Sequence, residues 1–326
     1  MSKTVVLYHY YEKDNSYKDN LLHFLSFGYS KTIDYVVIIA GKHSLHLPSA
    51  DNISYVFTEN LNNDFGGYCY AINNVLDISE YEHFFFVNSS VRGPFLTARD
   101  NKIWTEYFIE QVQADTGIVG STINILPINA EWLVSYSEKY GLPENYSHIQ
   151  TACYLLPKQT LLYLINEGFY SSSGILDKED AIRDYEVRLS QLITRRGWNL
   201  RSLLPEYNKI DYRMPHNDIN PTSDHGDPCF KDCYFGRSMH PYEIIFIKTN
   251  RAAWSPAYFD RLTYSLFSSG RACNELSESI DLGSYHARMN LVGCSKENVS
   301  YVPLGRAFKA LWKKITRAIK GKYSKK

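Results

Sequence analysis

Residues 82–88 read EHFFFVN, three consecutive aromatics and a valine that stop abruptly at Asn88. An apolar run this short, bounded by polar residues, is the mark of a strand buried on both faces, as in a parallel sheet. Working outward, TVVLYH (4–9), DYVVIIA (34–40) and ISYVFT (53–58) have the same character. Between them lie helix-patterned stretches, 17–27 with Leu21, Leu22, Phe24 and Leu25 on one side, and a second near 67–77. Strands alternating with helices at this spacing imply βαβ units, hence an α/β fold with a mostly parallel sheet and helices on both faces. Two more strands are expected at 117–123 and 150–156, helices at 158–168, 179–196 and 256–270, and renewed strand character at 242–248. Residues 205–240, rich in Pro, Asn, Asp, His and Gly, read as a long loop, and loops of that length are usually functional. In such sheets ligands bind beyond the carboxyl ends of the strands, which directs attention to His9-Tyr10, Asn60–Gly67 and Asn88–Phe95.

The chain has 326 residues, 44% hydrophobic and 21% charged, values of a globular protein with a sizeable core. Its 35 basic and 35 acidic side chains are unevenly placed. Nine of the basic ones fall in 304–326, which holds no acid, leaving 26 basic against 35 acidic residues before it. A body that acidic is not built to coat nucleic acid. Six scattered cysteines, no signal-peptide pattern and no apolar run of spanning length suggest a reduced, cytoplasmic protein. Cys229 and Cys233, with His216, His225, Asp227 and Asp232 nearby, form only one half of a usual zinc ligand set, so a plain loop is favoured over zinc.

Four stretches carry chemistry. FFFVNSSVRGPF (84–95) places Asn88, Ser89 and Ser90 at the ligand edge before Gly93-Pro94 turns the chain. NLNNDFGGYCY (60–70) follows the third strand, with Asp64 at a helix start and Gly66-Gly67 behind it; an N-cap and turn would explain the same residues. DYEVRLSQLITRRGW (184–198) carries Glu186 eleven residues before Gly197, with Glu179-Asp180 as a competing acidic pair and a solvated face pairing Glu186 to Arg183 as the plain alternative. HPYEIIFIKTNR (240–251) brings His240, Lys248 and Arg251 together after the long loop.

These strings resemble those of GT-A nucleotide-sugar glycosyltransferases, specifically enzymes of bacterial polysaccharide (capsule or O-antigen) biosynthesis. The resemblance covers about residues 4–251, and 88–95 and 240–251 are its specific parts. It implies a nucleotide-sugar donor bound by His9, Asp64, Gly66, Asn88, Ser89, Ser90, Arg92, His240 and Lys248, with the Gly66-Gly67 backbone close to the diphosphate. It implies Glu186 as the general base that deprotonates an acceptor hydroxyl, and inversion follows from that assignment. The family's Asp-x-Asp, which holds a divalent metal, is here Asn88-Ser89-Ser90, and Tyr185 stands where a first acid is usual. Dependence on Mn²⁺ or Mg²⁺ is therefore left open, with Ser90 and His240 the possible ligands, and Lys248 and Arg251 the charges that could replace a metal.

The tail is a second unit in this reading, 304–326 after a 1–303 transferase domain. Leu304, Phe308, Leu311, Trp312, Ile315 and Ile319 form one apolar helical stripe on a cationic background, the pattern of a helix lying on an anionic membrane surface. A glycan or lipid-linked glycan acceptor at the inner face of the cell membrane would suit it. The 27 tyrosines and five tryptophans suit sugar stacking. Two rivals remain: another nucleotide-using transferase, against which the turn Tyr8-His9-Tyr10-Tyr11 lacks the glycine-rich pattern, and a non-catalytic scaffold in a polysaccharide assembly complex.

Overall fold

The three phenylalanines of residues 84–86 divide between two cores. Because successive side chains of a strand point to opposite faces, Phe84 and Phe86 join one apolar layer and Phe85 the other, all fully buried. Burial of each such ring is worth about 1.5–3 kcal/mol, which fixes the strand's register against its neighbours.

The computed structural model describes residues 3–126, 146–171, 174, 176–272, 276 and 279–294. In chain order the strands are β1 (Thr4–Tyr10), β2 (Asp34–Ala40), β3 (Ile53–Thr58), β4 (His83–Asn88), β5 (Val91–Arg92), β6 (Thr116–Gly120), β7 (Ile123–Asn124), β8 (His148–Ile149), β9 (Cys153–Pro157), β10 (Asn199–Ser202) and β11 (Ile247–Lys248). Seven of them form one sheet in the order β10-β6-β9-β4-β1-β2-β3. Its pairings are parallel except around β9, which runs antiparallel to both β4 and β6. One face is covered by α1 (Asn15–Phe27), α3 (Trp104–Ile109) and the helix Ile280–Cys294, and the other by α2 (Asn63–Asn74) and the helices within Lys158–Asn166 and Lys178–Arg195. Among the described residues no helix is long and apolar enough to cross a membrane.

Local chemistry explains the element ends. Asp14 caps α1 by accepting from the amides of Ser16 (2.8 Å) and Tyr17 (3.3 Å). The helix α2 starts at Asn63, four residues before the expected 67, because Asn62 and Asn63 take left-handed backbone (φ 52° and 55°) and turn the chain straight into it. The helix expected at 179–196 is present, but its middle, Ile182–Val187, is wound as a π turn. The expected strand 242–248 is a correction. Pro241–Ile244 is a helical turn capped by His240, whose amide donates to the Glu243 carboxylate (2.8 Å), and only Ile247–Lys248 is extended. A capping box with proline at the first helical position outweighs β-branched propensity over four residues. The tail 304–326 lies outside the described residues, as does Cys273.

Candidate functional site

The strand β1 is hydrogen-bonded to β2 on one side and β4 on the other, so the chain reverses its direction of travel across the sheet between β1 and β4. The crevice at the carboxyl ends of two such strands is where open α/β sheets bind ligands. His9 and Asn88 are register partners there.

Asn88 organises the edge. Its Oδ1 accepts from the Ser90 amide (3.1 Å) and hydroxyl (2.5 Å), while its Nδ2 donates to Asp64 Oδ2 (3.0 Å) across from α2. The Ser89 hydroxyl is spent on β1, accepting from the Tyr11 amide at 3.1 Å. His9 is buried beneath α2, its ring edge-on to Tyr68 at 5.9 Å, and its Nε2 has no hydrogen-bond partner among the described residues. Burial pushes the imidazole down to about 4, so it is neutral.

Asp64 is buried over a phenolic floor. Phe86, Tyr154 and Tyr170 stack nearly parallel, at 4.7 Å (7°) and 6.2 Å (9°), and Tyr68 stands edge-on to Phe86 at 5.0 Å. Burial pushes the Asp64 carboxyl up to about 7, opposed by the Asn88 hydrogen bond, with Glu186 raising it further and Lys248 lowering it. Glu186 and Lys248 are thus close enough for their charges to act on Asp64.

The position of Glu186 follows from its neighbour. Tyr185 stacks on Phe65 at 4.7 Å and 10°, and Phe65 is the residue after Asp64 as Tyr185 is the residue before Glu186. The aromatic pair therefore packs the turn that carries Glu186 against the start of α2, within electrostatic reach of Asp64, and the π turn that holds Glu186 is a device common at functional sites. Arg183 pairs with Glu179 and Asp180 (3.5 Å each), not with Glu186. Glu186 is half-buried and has no ion-pair or hydrogen-bond partner among the described residues.

Lys248 arrives from 160 positions away. The strand β11 pairs antiparallel with β5, placing Lys248 opposite Val91, and the Thr249 amide donates to the Ser90 carbonyl at 3.1 Å. The Asn20 amide binds both the Ser89 carbonyl (2.9 Å) and the Thr249 hydroxyl (3.0 Å), tying α1 to this ladder.

To Arg251, which the sequence marks, the structure adds Gln150 and His148, which it does not. Gln150, just before β9, donates to Asn124 Oδ1 (2.6 Å) and Asp227 Oδ1 (2.5 Å) and accepts from Cys229 Sγ (3.3 Å). Arg251 closes the knot through Nε to Asp227 Oδ2 (3.1 Å), lying over the Phe230 ring at 4.8 Å. His148 is buried, its Nδ1 against the Tyr146 carbonyl (2.8 Å), and its value is lowered by burial while Glu186 and Asp227 raise it and Lys248 lowers it. The long loop is thereby anchored to the same crevice. The signal was His148, Gln150 and Thr151, three polar residues ahead of a buried strand. Because β9 is antiparallel, its amino end, not its carboxyl end, lies at the ligand edge.

Other expected site residues are placed elsewhere. Arg92 is buried on the α1 side, donating from Nε to Asn20 (2.9 Å) and from a terminal nitrogen to Asp260 (3.2 Å), with Asp19 at 3.8 Å. Through these partners Arg92 ties α1 to the helix that carries Asp260. His240 is occupied on both ring nitrogens, by the Tyr242 amide (3.3 Å) and the Tyr258 hydroxyl (2.9 Å), and burial lowers its value. The glycines answer to packing. A Cβ at Gly66 would lie 2.0 Å from the Leu61 carbonyl oxygen, and one at Gly67 would lie 2.6 Å from the His9 ring. Cys229 and Cys233 reach separate partners, Gln150 and the Lys231 carbonyl. Among the described residues no group of three or more His, Cys, Asp and Glu side chains could hold a metal ion.

No family model matches the chain, and no curated protein matches it. Solved structures to which it is similar include the galactosyltransferase LgtC with donor and acceptor sugar analogues, at 10% identity over 80% of this chain and 96% of that one, TM-score 0.39. They include the mannosyltransferase PcManGT from Pyrobaculum calidifontis with GDP-Man and Mn²⁺, at 9% identity over 62% of this chain and 54% of that one, TM-score 0.37. A third is the mannosyltransferase Ktr4p from S. cerevisiae, at 10% identity over 59% and 65%, TM-score 0.33. At these identities and scores the alignments fix no residue-by-residue correspondence with the site.

Proposed function

We propose that the chain is a GT-A type glycosyltransferase that moves a sugar from a nucleotide donor to a hydroxyl of a cell-surface polysaccharide, of capsule or O-antigen type. The observation that carries this reading is the convergence of Asp64, Asn88, Glu186 and Lys248 at the sheet's switch point, from four segments with no sequence proximity. A nucleotide-sugar needs hydroxyl acceptors, a positive charge for its diphosphate and a base for the incoming alcohol. Asp64, oriented by Asn88, supplies the first, Lys248 the second and Glu186 the third.

In the reaction the Glu186 carboxylate takes the proton of the acceptor hydroxyl as its oxygen bonds to the anomeric carbon. The bond from that carbon to the diphosphate breaks on the opposite face, and the nucleoside diphosphate leaves with the electron pair, so configuration inverts. Glu186 suits the role because no protein partner competes for it among the described residues. The basic helix of residues 304–326 would hold the enzyme on the anionic inner face of a membrane, next to a lipid-linked acceptor.

The test is a thermal-shift screen of the full chain against UDP-, GDP-, dTDP- and CMP-sugars, followed by Glu186→Gln. Protection by one nucleotide class is expected, with Glu186→Gln keeping that protection and losing transfer by about 10²–10⁴-fold. Transfer by Glu186→Gln at the wild-type rate would refute the base assignment. No protection by any donor would move the chain to the scaffold reading.

A further inference from the structure

Most GT-A enzymes hold the donor diphosphate through a divalent cation on strand-end carboxylates, and the corresponding edge here is chemically unsuited to that. Hard cations take six or more oxygen ligands, carboxylates foremost. Asn88 Oδ1 is already bound twice by Ser90, and Asn88 Nδ2 presents hydrogens, directed at Asp64. The Ser89 hydroxyl is bound to the β1 backbone. What remains is Asp64, buried and raised toward neutrality, and Glu186.

Lys248 is the cation whose charge acts on Asp64 at this edge. The β5–β11 ladder and the Thr249-to-Ser90 bond deliver it to the three residues that replace the acidic motif. It is half-buried and, among the described residues, has no ion-pair or hydrogen-bond partner. The other cations near this edge are already neutralised, Arg251 by Asp227 and Arg92 by Asp260 and Asp19. A partly desolvated ammonium held in no direct ion pair gains from a ligand anion that bonds it. Its ammonium is a compact charge with three donors, matched to phosphate oxygens. A divalent ion between Asp64 and Glu186 would in addition sit against this like charge, which already acts on Asp64.

Resting on the nucleotide-sugar reading, we infer that Lys248 is the counter-charge of the donor diphosphate and that a nucleoside diphosphate binds this site without a divalent metal. Titration calorimetry of the full chain with UDP, GDP and dTDP, in EDTA and then in Mn²⁺, tests it without any variant. Binding of one of them in EDTA, unimproved by Mn²⁺, is expected. Lys248→Met should weaken that binding about 10- to 100-fold and leave the affinity for the matching nucleoside unchanged, while Lys248→Arg retains most of it. Affinity that appears only with Mn²⁺, or that Lys248→Met leaves intact, overturns the inference while the transferase reading stands. Failure of all three to bind under either condition removes the reading of a diphosphate-donor transferase and the inference with it.

Discussion

Replacing Asp64 by Asn should make the protein more stable at neutral pH, and the gain should vanish in acid. The Asp64 carboxyl moves from its ordinary 3.8 to about 7 on folding, chiefly because it is buried over Tyr68, Tyr154 and Phe86. For an acid raised in the folded state, the folded form holds a proton that the unfolded chain has lost. Stability is therefore undiminished below pH 4, falls as pH rises toward 7, and levels off above it. The full penalty is about 4 kcal/mol. Asn has the same shape and can still accept from Asn88 through its carbonyl oxygen, but it carries no charge to desolvate. For a chain of this size about 2 °C of melting temperature corresponds to each kcal/mol. Melting curves of the two proteins from pH 4.5 to 8 should separate by roughly 5–8 °C as pH rises. His9, lowered to about 4, and His148, also lowered, act in the opposite sense, costing stability as pH falls below their unfolded value, but both proteins share them and they cancel in the difference. Parallel curves, with a constant gap at every pH, would refute the reasoning. The stabilised variant should nevertheless lose sugar transfer.

Gly67→Ala should destabilise the fold by about 1–3 kcal/mol, since its Cβ would meet the His9 ring at 2.6 Å and Ile38 Cγ2 at 2.9 Å; an unchanged denaturation midpoint would show that α2 can shift freely. Gln150→Ala leaves buried Asp227 and Cys229 short of a partner and should cost about 1–3 kcal/mol, with proteolysis appearing first within 205–240; cleavage unchanged there would mean that the loop's other anchors, such as His216 on Ser147 and Arg251 on Asp227, hold it without Gln150. A chain ending at Pro303 should lose sedimentation with anionic vesicles, and undiminished binding would discard the membrane role of the tail.

The sheet was legible in the sequence because fully buried parallel strands are short apolar runs, and β1 to β4 fall within a residue or two of the runs read there. What periodicity does not carry is strand direction. The run 150–156 is a strand, but nothing in its composition says that it enters the sheet backward, and so the rule that ligands bind at carboxyl ends does not mark His148 and Gln150 at its amino end. The segment 242–248 shows the complementary limit. Ile244 and Ile245 carry β propensity, yet His240, Pro241 and Glu243 close a helical turn whose Glu243 is held by the Arg237 fork at 2.6 Å. Propensity is a sum of weak preferences, and a satisfied cap with an ion pair exceeds it.

The site was legible only in its parts. Asp64, Asn88 and Glu186 stand out as polar residues at the ends of apolar segments, but their relation depends on Phe65 meeting Tyr185, a contact between residues 120 positions apart. Tyr185 is where the acidic pattern is interrupted, and that interruption has a use, because its ring packs the turn that carries Glu186 against the start of α2. Two carboxyl groups placed together over a phenolic floor would repel if both ionised. Raising Asp64 and setting Lys248 beside the pair relieves that without a metal, at a cost in stability that only a ligand can recover. Stability alone would favour Asn at position 64, so the carboxylate at the switch point of the sheet is accounted for by the binding and chemistry proposed for it and not by the fold.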